Sequence, residues 1–150
     1  MPYIIQHVHG STPPLVGEQS WGEGAEIQFG AMTSCIALVE QNPDVADSIR
    51  AIHLSLLSPD NTPVYDPDSN VLGQIVGIMQ LHGNLRACLG RIDFWQSSES
   101  IEVQDFFSAL IEQLQIDTGA QLPDGSLGVR WHSETIQYAQ EDSGWLDVPY

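Results

Sequence analysis

Residues 29–60 read FGAMTSCIALVEQNPDVADSIRAIHLSLLSPD, and this stretch decides how the chain folds. Two apolar runs, 34–39 and 49–57, flank a polar segment, 40–48, that carries Asn42-Pro43-Asp44. Proline and aspartate are turn residues, so the pattern predicts an antiparallel hairpin. Opposed residues in such a pair have position numbers with a constant sum. A turn centred on Asp44 places Cys35 opposite His53, Ala37 opposite Ala51 and Val39 opposite Ile49. Directly opposed side chains stand ~4.5–5.5 Å apart at Cβ, on one face. A thiol and an imidazole at that distance can share a proton. A slip of one residue would send them to opposite faces. Each residue also has a plain structural reading: a small buried hydrophobe for Cys35, a hydrogen-bonded core residue for His53.

Composition limits the classes open to the chain. Its 150 residues suit one domain, 1–150. A domain of that size buries roughly 68–70% of its unfolded surface, enough for a core without staples. The formal charge is −16, all four basic residues are arginines (Arg50, Arg86, Arg91 and Arg130), and there is no lysine. Such a surface repels nucleic acid and anionic lipid and attracts a protein with basic patches. Lysine depletion also fits a bacterial protein acting in a eukaryotic cytosol, where it limits ubiquitination. The two cysteines, Cys35 and Cys88, are expected as free thiols. No apolar run approaches the ~18 residues of a membrane span. The start, Met-Pro-Tyr-Ile-Ile-Gln-His, does not read as a secretory signal. The expected location is the cytoplasm, or a host cytosol reached without a signal peptide. The oligomeric state is left open.

Outside the hairpin, residues 3–8 alternate weakly and predict a strand. Residues 10–24, GSTPPLVGEQSWGEG, read as a loop, and 25–29 as a short strand. His7-x-His9 lacks a third ligand, so no metal is expected. The segment 58–69 holds Pro59, Pro63 and Pro67 and reads as a loop whose end, Asp68, Ser69 or Asn70, can cap a helix. Leu72, Ile75, Val76 and Met79 recur at helical spacing, predicting a helix over 71–82 that ends at His82-Gly83-Asn84. Residues 85–95 read as a strand with Ala87, Leu89 and Arg91 on one face and Cys88, Gly90 and Ile92 on the other. Val103, Phe106, Phe107, Leu110, Ile111 and Leu114 predict a second helix over 101–116. Residues 127–139 read as a strand kinked at Ser133-Glu134, followed by a turn at 141–144 and a returning strand over 145–148. The plan is α+β: a mixed or antiparallel β-sandwich with two helices covering a face.

Thr33-Ser34-Cys35-Ile36-Ala37-Leu38, Asn42-Pro43 and Ala51-Ile52-His53-Leu54-Ser55-Leu56 together resemble the active-site region of CheD, the chemotaxis-receptor glutamine deamidase. In that family a Gly-Ser-Cys opens one strand and a histidine lies on the next. The order of later elements is similar too. The catalytic domain of cytotoxic necrotizing factors and related deamidase effectors shares that fold and Cys–His pair. Here Thr33 stands at the family's glycine, and Phe29 stands where the family has a threonine six positions before the cysteine. The proline after the histidine segment is displaced to Pro59.

The resemblance implies a protein-glutamine deamidase working without metal or organic cofactor. Cys35 would be the nucleophile, its thiol activated by His53 as a thiolate–imidazolium pair with a near-neutral thiol pKa. The N–H groups around Ser34 and Cys35 are candidate oxyanion donors. Thr33, Gln28 or a backbone carbonyl near Gly30 would orient His53. Water as acceptor gives glutamate; an amine would make the same site a transglutaminase. The competing reading is an inactive, acidic protein-binding module of adaptor or immunity type on the same fold.

Overall fold

The computed structural model describes residues 3–8, 13–42, 44–79, 85–116, 118–141 and 144–148. They form a mixed six-stranded sheet, a four-stranded antiparallel sheet and three helices. The predicted hairpin is β4 (Ile36–Gln41) and β5 (Ile49–Leu54), paired antiparallel. It lies at the centre of the six-stranded sheet. β5 is followed outward by β2 (Ser20–Gly24) and β1 (Gln6–His7), and β4 by β6 (Arg86–Gly90) and β7 (Gly119–Gln121). The second sheet runs β3 (Glu26–Met32), β8 (Gly125–His132), β9 (Thr135–Ala139) and β10 (Leu146–Asp147).

The central strands alternate between two cores. Ile36, Leu38, Ile52 and Leu54 pack against helices α1 (Val71–Ile78), α2 (Ile92–Gln96) and α3 (Ile101–Leu114). Ala37, Val39, Ile49 and Ala51 face Ile27, Leu127, Val129 and Ile136 of the second sheet. The central strands β4, β5 and β6 are therefore buried on both faces, which explains why they read as continuous apolar runs.

The register corrects the sequence reading. Ala37, not Cys35, is opposite His53, and Val39 is opposite Ala51. The Asn42 N–H donates to the Ser48 carbonyl at 3.0 Å, so the turn centres one residue later than predicted. Pro43 lies outside the described residues. Because the opposed pairs shift by two positions, side-chain parity is kept. Cys35 and His53 stay on one face as diagonal neighbours, a relation that spans roughly 7–8 Å.

Other differences have local causes. The predicted strand 85–95 stops at Gly90 and turns into α2. Gly90 has φ +120°, and a Cβ there would lie 2.6 Å from the Cys35 carbonyl oxygen. The Arg91 N–H donates to that same oxygen at 3.0 Å. The predicted 127–139 strand is a hairpin, because Ser133 and Glu134 both have positive φ, 50° and 65°. The 10–24 loop contains β2, a missed strand, and β7 was missed as well. Helix α1 begins as expected, with the Asn70 side chain accepting from the Gly73 N–H, but it ends at Ile78. The predicted stop at His82-Gly83-Asn84, like Asp142-Ser143 of the predicted turn, falls outside the described residues.

Two arginines hold the helices to the sheet. Glu40, fully buried on the helix side, meets Arg50 at 3.6 Å and Arg86 at 3.2 Å. Arg50 Nη1 donates to the Ile78 carbonyl at 2.8 Å, and Arg86 Nη1 to the Leu114 carbonyl at 3.0 Å. Each guanidinium thus serves the last carbonyl of a helix that has no basic residue of its own in its last turn.

Candidate active site

Cys35 sits just before β4, at the end of the ladder away from Glu40. Ser34 before it has φ 61°, the left-handed region. That turn is held from both sides: the Ser34 N–H donates to Asp124 Oδ1 at 3.1 Å, and Trp95 Nε1 donates to the Ser34 carbonyl at 3.0 Å. The Ser34 N–H holds the Asp124 carboxyl below the usual carboxylate range, with Arg91 at 3.0 Å adding to the effect. With the Arg91 N–H on its carbonyl, Cys35 is fixed by β6, α2 and the segment around Asp124 together.

The Cys35 thiol faces two oxygens. It donates to the Thr33 carbonyl at 3.3 Å and to Glu18 Oε1 at 3.6 Å. Burial, with Glu18 as the next cause, pushes the thiol up to about 12. His53 is also buried, and burial lowers its pKa. The pair therefore rests as neutral thiol and neutral imidazole. Both shifts oppose the expected thiolate–imidazolium pair with its near-neutral thiol, because burial disfavours the charged form of each group.

His53 is set as a base would be. Its Nδ1 lies 2.9 Å from the Val16 carbonyl oxygen. A carbonyl only accepts, so Nδ1 carries the proton and Nε2 keeps its lone pair. Nε2 is buried and has no hydrogen-bond partner among the described residues. The ring of Phe29 meets the imidazole edge-on at 5.7 Å. Phe29 faces the six-stranded sheet by the same alternation as Ile27, and the irregularity of the β3–β8 ladder between Gln28 and Gly30 then brings Met32 inward in place of Ala31.

Of the sequence-predicted residues, the structure brings Cys35 and His53 to one face without a hydrogen bond between them. The group that orients His53 is Val16, not Thr33, Gln28 or the backbone near Gly30. Thr33 is exposed and contributes its carbonyl to the thiol. Gln28 bonds Glu26 instead. The Ser34 N–H is taken by Asp124, leaving the Cys35 N–H as the candidate oxyanion donor of the two. Val16 and Glu18 were missed, since both lie in the segment read as an unstructured loop. Its visible signal was Leu15, Val16 and Trp21 as apolar residues within a Gly/Ser/Pro-rich run.

Cys88 lies on the opposite face of the sheet, among the helix-side core, and both cysteines are free. His7 stacks on Trp21 at 3.9 Å, and its sequence companion His9 lies outside the described residues. Among the described residues, no helix is long and apolar enough to cross a membrane. No family model and no curated protein matches the chain.

Proposed function

We propose that this protein is a cysteine-dependent amide hydrolase, a protein-glutamine deamidase related in mechanism to CheD and the cytotoxic necrotizing factor-like effectors. The single observation that carries the reading is His53. Its Nδ1–H is committed to Val16, and its buried Nε2 is left unpaired on the same face as Cys35. A buried polar atom without a partner costs about 1–3 kcal/mol, so its retention calls for a reason. Accepting the thiol proton during catalysis is such a reason.

Substrate binding brings the thiol to Nε2, and the proton passes from sulfur to His53 as sulfur attacks the carboxamide carbon. The Cys35 N–H donates to the developing oxyanion. Collapse breaks the C–N bond, and the His53 proton goes to the departing ammonia. Water, deprotonated by Nε2, then hydrolyses the thioester and leaves glutamate. The resting neutral pair fits a nucleophile activated only with substrate in place.

The experiment is incubation with glutamine-containing peptides bearing neighbouring lysine or arginine, read by ammonia release and by conversion of glutamine to glutamate in mass spectra. Activity abolished by Cys35→Ala supports the reading; activity that survives Cys35→Ala overturns it. A second reading, an inactive acidic binding module, is favoured by the raised Cys35 pKa and the missing thiol–imidazole hydrogen bond. It predicts tight binding of a basic protein with no chemical change in either partner.

A further inference from the structure

We propose that the cleft lined by Ile4, Gln19 and Pro59 is a docking subsite for an extended segment of a protein substrate, gripped at one main-chain peptide group by the Gln19 carboxamide. The inference rests on the hydrolase reading, from which it takes its substrate class. The cleft has a volume of about 350 Å³, within the ~300–1,000 Å³ range of ligand sites. Ile4, half exposed, and Pro59 give it apolar walls. Gln19 lines it too and is only 9% exposed, yet its carboxamide makes no hydrogen bond among the described residues. A buried amide without a partner is costly to keep. Unlike the sealed Nε2 of His53, this amide stays open to solvent. It offers two donors and one acceptor to whatever enters.

The backbone fixes Gln19 for this task. Its φ is 58°, in the left-handed region that glycine takes without strain and other residues do not. Two strands hold it there. The Gln19 N–H donates to the His53 carbonyl of β5, and the Gln6 N–H of β1 donates to the Gln19 carbonyl, both at 2.9 Å. The charged groups of the cleft are already engaged. The Glu18 carboxylate accepts from the Cys35 thiol, and Asp60 accepts from Ser58, Thr62 and the N-terminal ammonium. Recognition therefore falls to a neutral amide, whose complement carries both an N–H and a C=O. A peptide group is such a complement, and the apolar walls receive a side chain beside it. The net charge of −16 disfavours an anionic ligand. Neither Cys35 nor His53 lines the cleft, but Glu18 and Gln19 on its wall bond to the thiol and to the His53 carbonyl. A segment docked there is held beside the reacting pair, not on it.

The test uses the full chain carrying Cys35→Ala, so that binding is read without turnover. The probe is N-acetyl-leucine N-methylamide, an apolar side chain between two peptide groups. NMR follows the Gln19 side-chain NH2, assigned as the signal lost in Gln19→Met. The expected result is a saturable shift of that signal, with a nuclear Overhauser contact to the probe. Affinity should fall about fivefold in Gln19→Met, the contribution of one neutral hydrogen bond. Gln19→Glu, of the same shape but without the donor NH2, should show a similar loss and guards against a misfolded Met variant. A probe that leaves the Gln19 signal in place, or an affinity unchanged in the folded variants, overturns the subsite. N-acetyl-alanyl-leucyl-alanine N-methylamide should bind more tightly than the single capped residue; no gain overturns the extended segment as the occupant. The two claims fail separately. If the probe binds at Gln19 while wild type deamidates no peptide, the cleft stands and the hydrolase reading falls; deamidation without probe binding reverses this.

Discussion

The Nδ1 of His53 lies 2.9 Å from the carbonyl oxygen of Val16, and this contact ties β5 to the strand-like segment that runs beside β3. Val16 donates its own N–H to the Gln28 carbonyl at 2.7 Å, and Pro14 accepts from the Gln28 N–H at 3.0 Å. The carbonyl that fixes the imidazole is thus itself fixed by the second sheet. His53→Gln should keep the packing but remove the base, because its amide can donate to Val16. We expect loss of hydrolysis by about 10²–10⁴-fold, the usual contribution of a general base, with the folded structure retained by circular dichroism.

Acid stability follows from the same residue. Burial lowers the His53 pKa in the folded state, so the unfolded chain takes up the proton first. Stability is fully present above the unfolded value of ~6.5 and is lost as pH falls below it. Denaturant unfolding between pH ~7 and ~5 should show this slope, and His53→Gln should flatten it. An identical slope in the variant would contradict the assignment.

The cysteines act at the other end of the scale. Burial pushes Cys35 and Cys88 each up to about 12. The folded chain keeps protons that the unfolded chain loses near ~8.5, so stability should decline as pH rises through ~8.5 toward 12. Thiolate absorbance of the folded protein should be absent at pH ~8. A thiolate signal there would restore the ion-pair dyad that the sequence suggested.

How much of this was legible depended on which signals were local. The hairpin, both long helices and the shared face of Cys35 and His53 follow from periodicity within 30–60 and 70–115. The register did not, because it depends on where Asn42 and Ser48 close the turn. Nor did the break after Gly90, which is forced by the Cys35 carbonyl across the ladder. Val16 and Glu18 were hidden for the same reason. Their roles come from long-range pairing with Gln28, His53 and Cys35, and a Gly- and Pro-rich segment carries no periodicity to announce them.

Glu40 anchors the architecture. Truncating one member of a buried ion network leaves the others uncompensated, typically at about 3–5 kcal/mol. Glu40→Ala should therefore cost that much in chemical denaturation, since Arg50 and Arg86 would remain buried. A loss below about 1 kcal/mol, the range of surface pairs, would show that the helix carbonyls, with Glu23 and Asp44 on Arg50, hold the two guanidinium groups without Glu40.

Gly90→Ala should disturb the site from behind. Its positive φ alone strains any other residue by about 1–3 kcal/mol. The added Cβ would also strike the Cys35 carbonyl, which cannot retreat while Arg91 holds it. We expect lowered stability together with altered Cys35 reactivity. Thr33→Ala, which keeps the carbonyl that meets the thiol, should leave that reactivity as it is.

The most direct measurement is covalent trapping of Cys35 by a peptide whose glutamine is replaced by its diazoketone analogue, with iodoacetamide as a reagent that needs no recognition. A catalytic pair predicts an adduct on Cys35, confirmed by peptide mapping, that forms at least ~10²-fold more slowly in His53→Ala. Failure of the analogue to label Cys35, or equal labelling in wild type and His53→Ala, would contradict the pairing of thiol and imidazole.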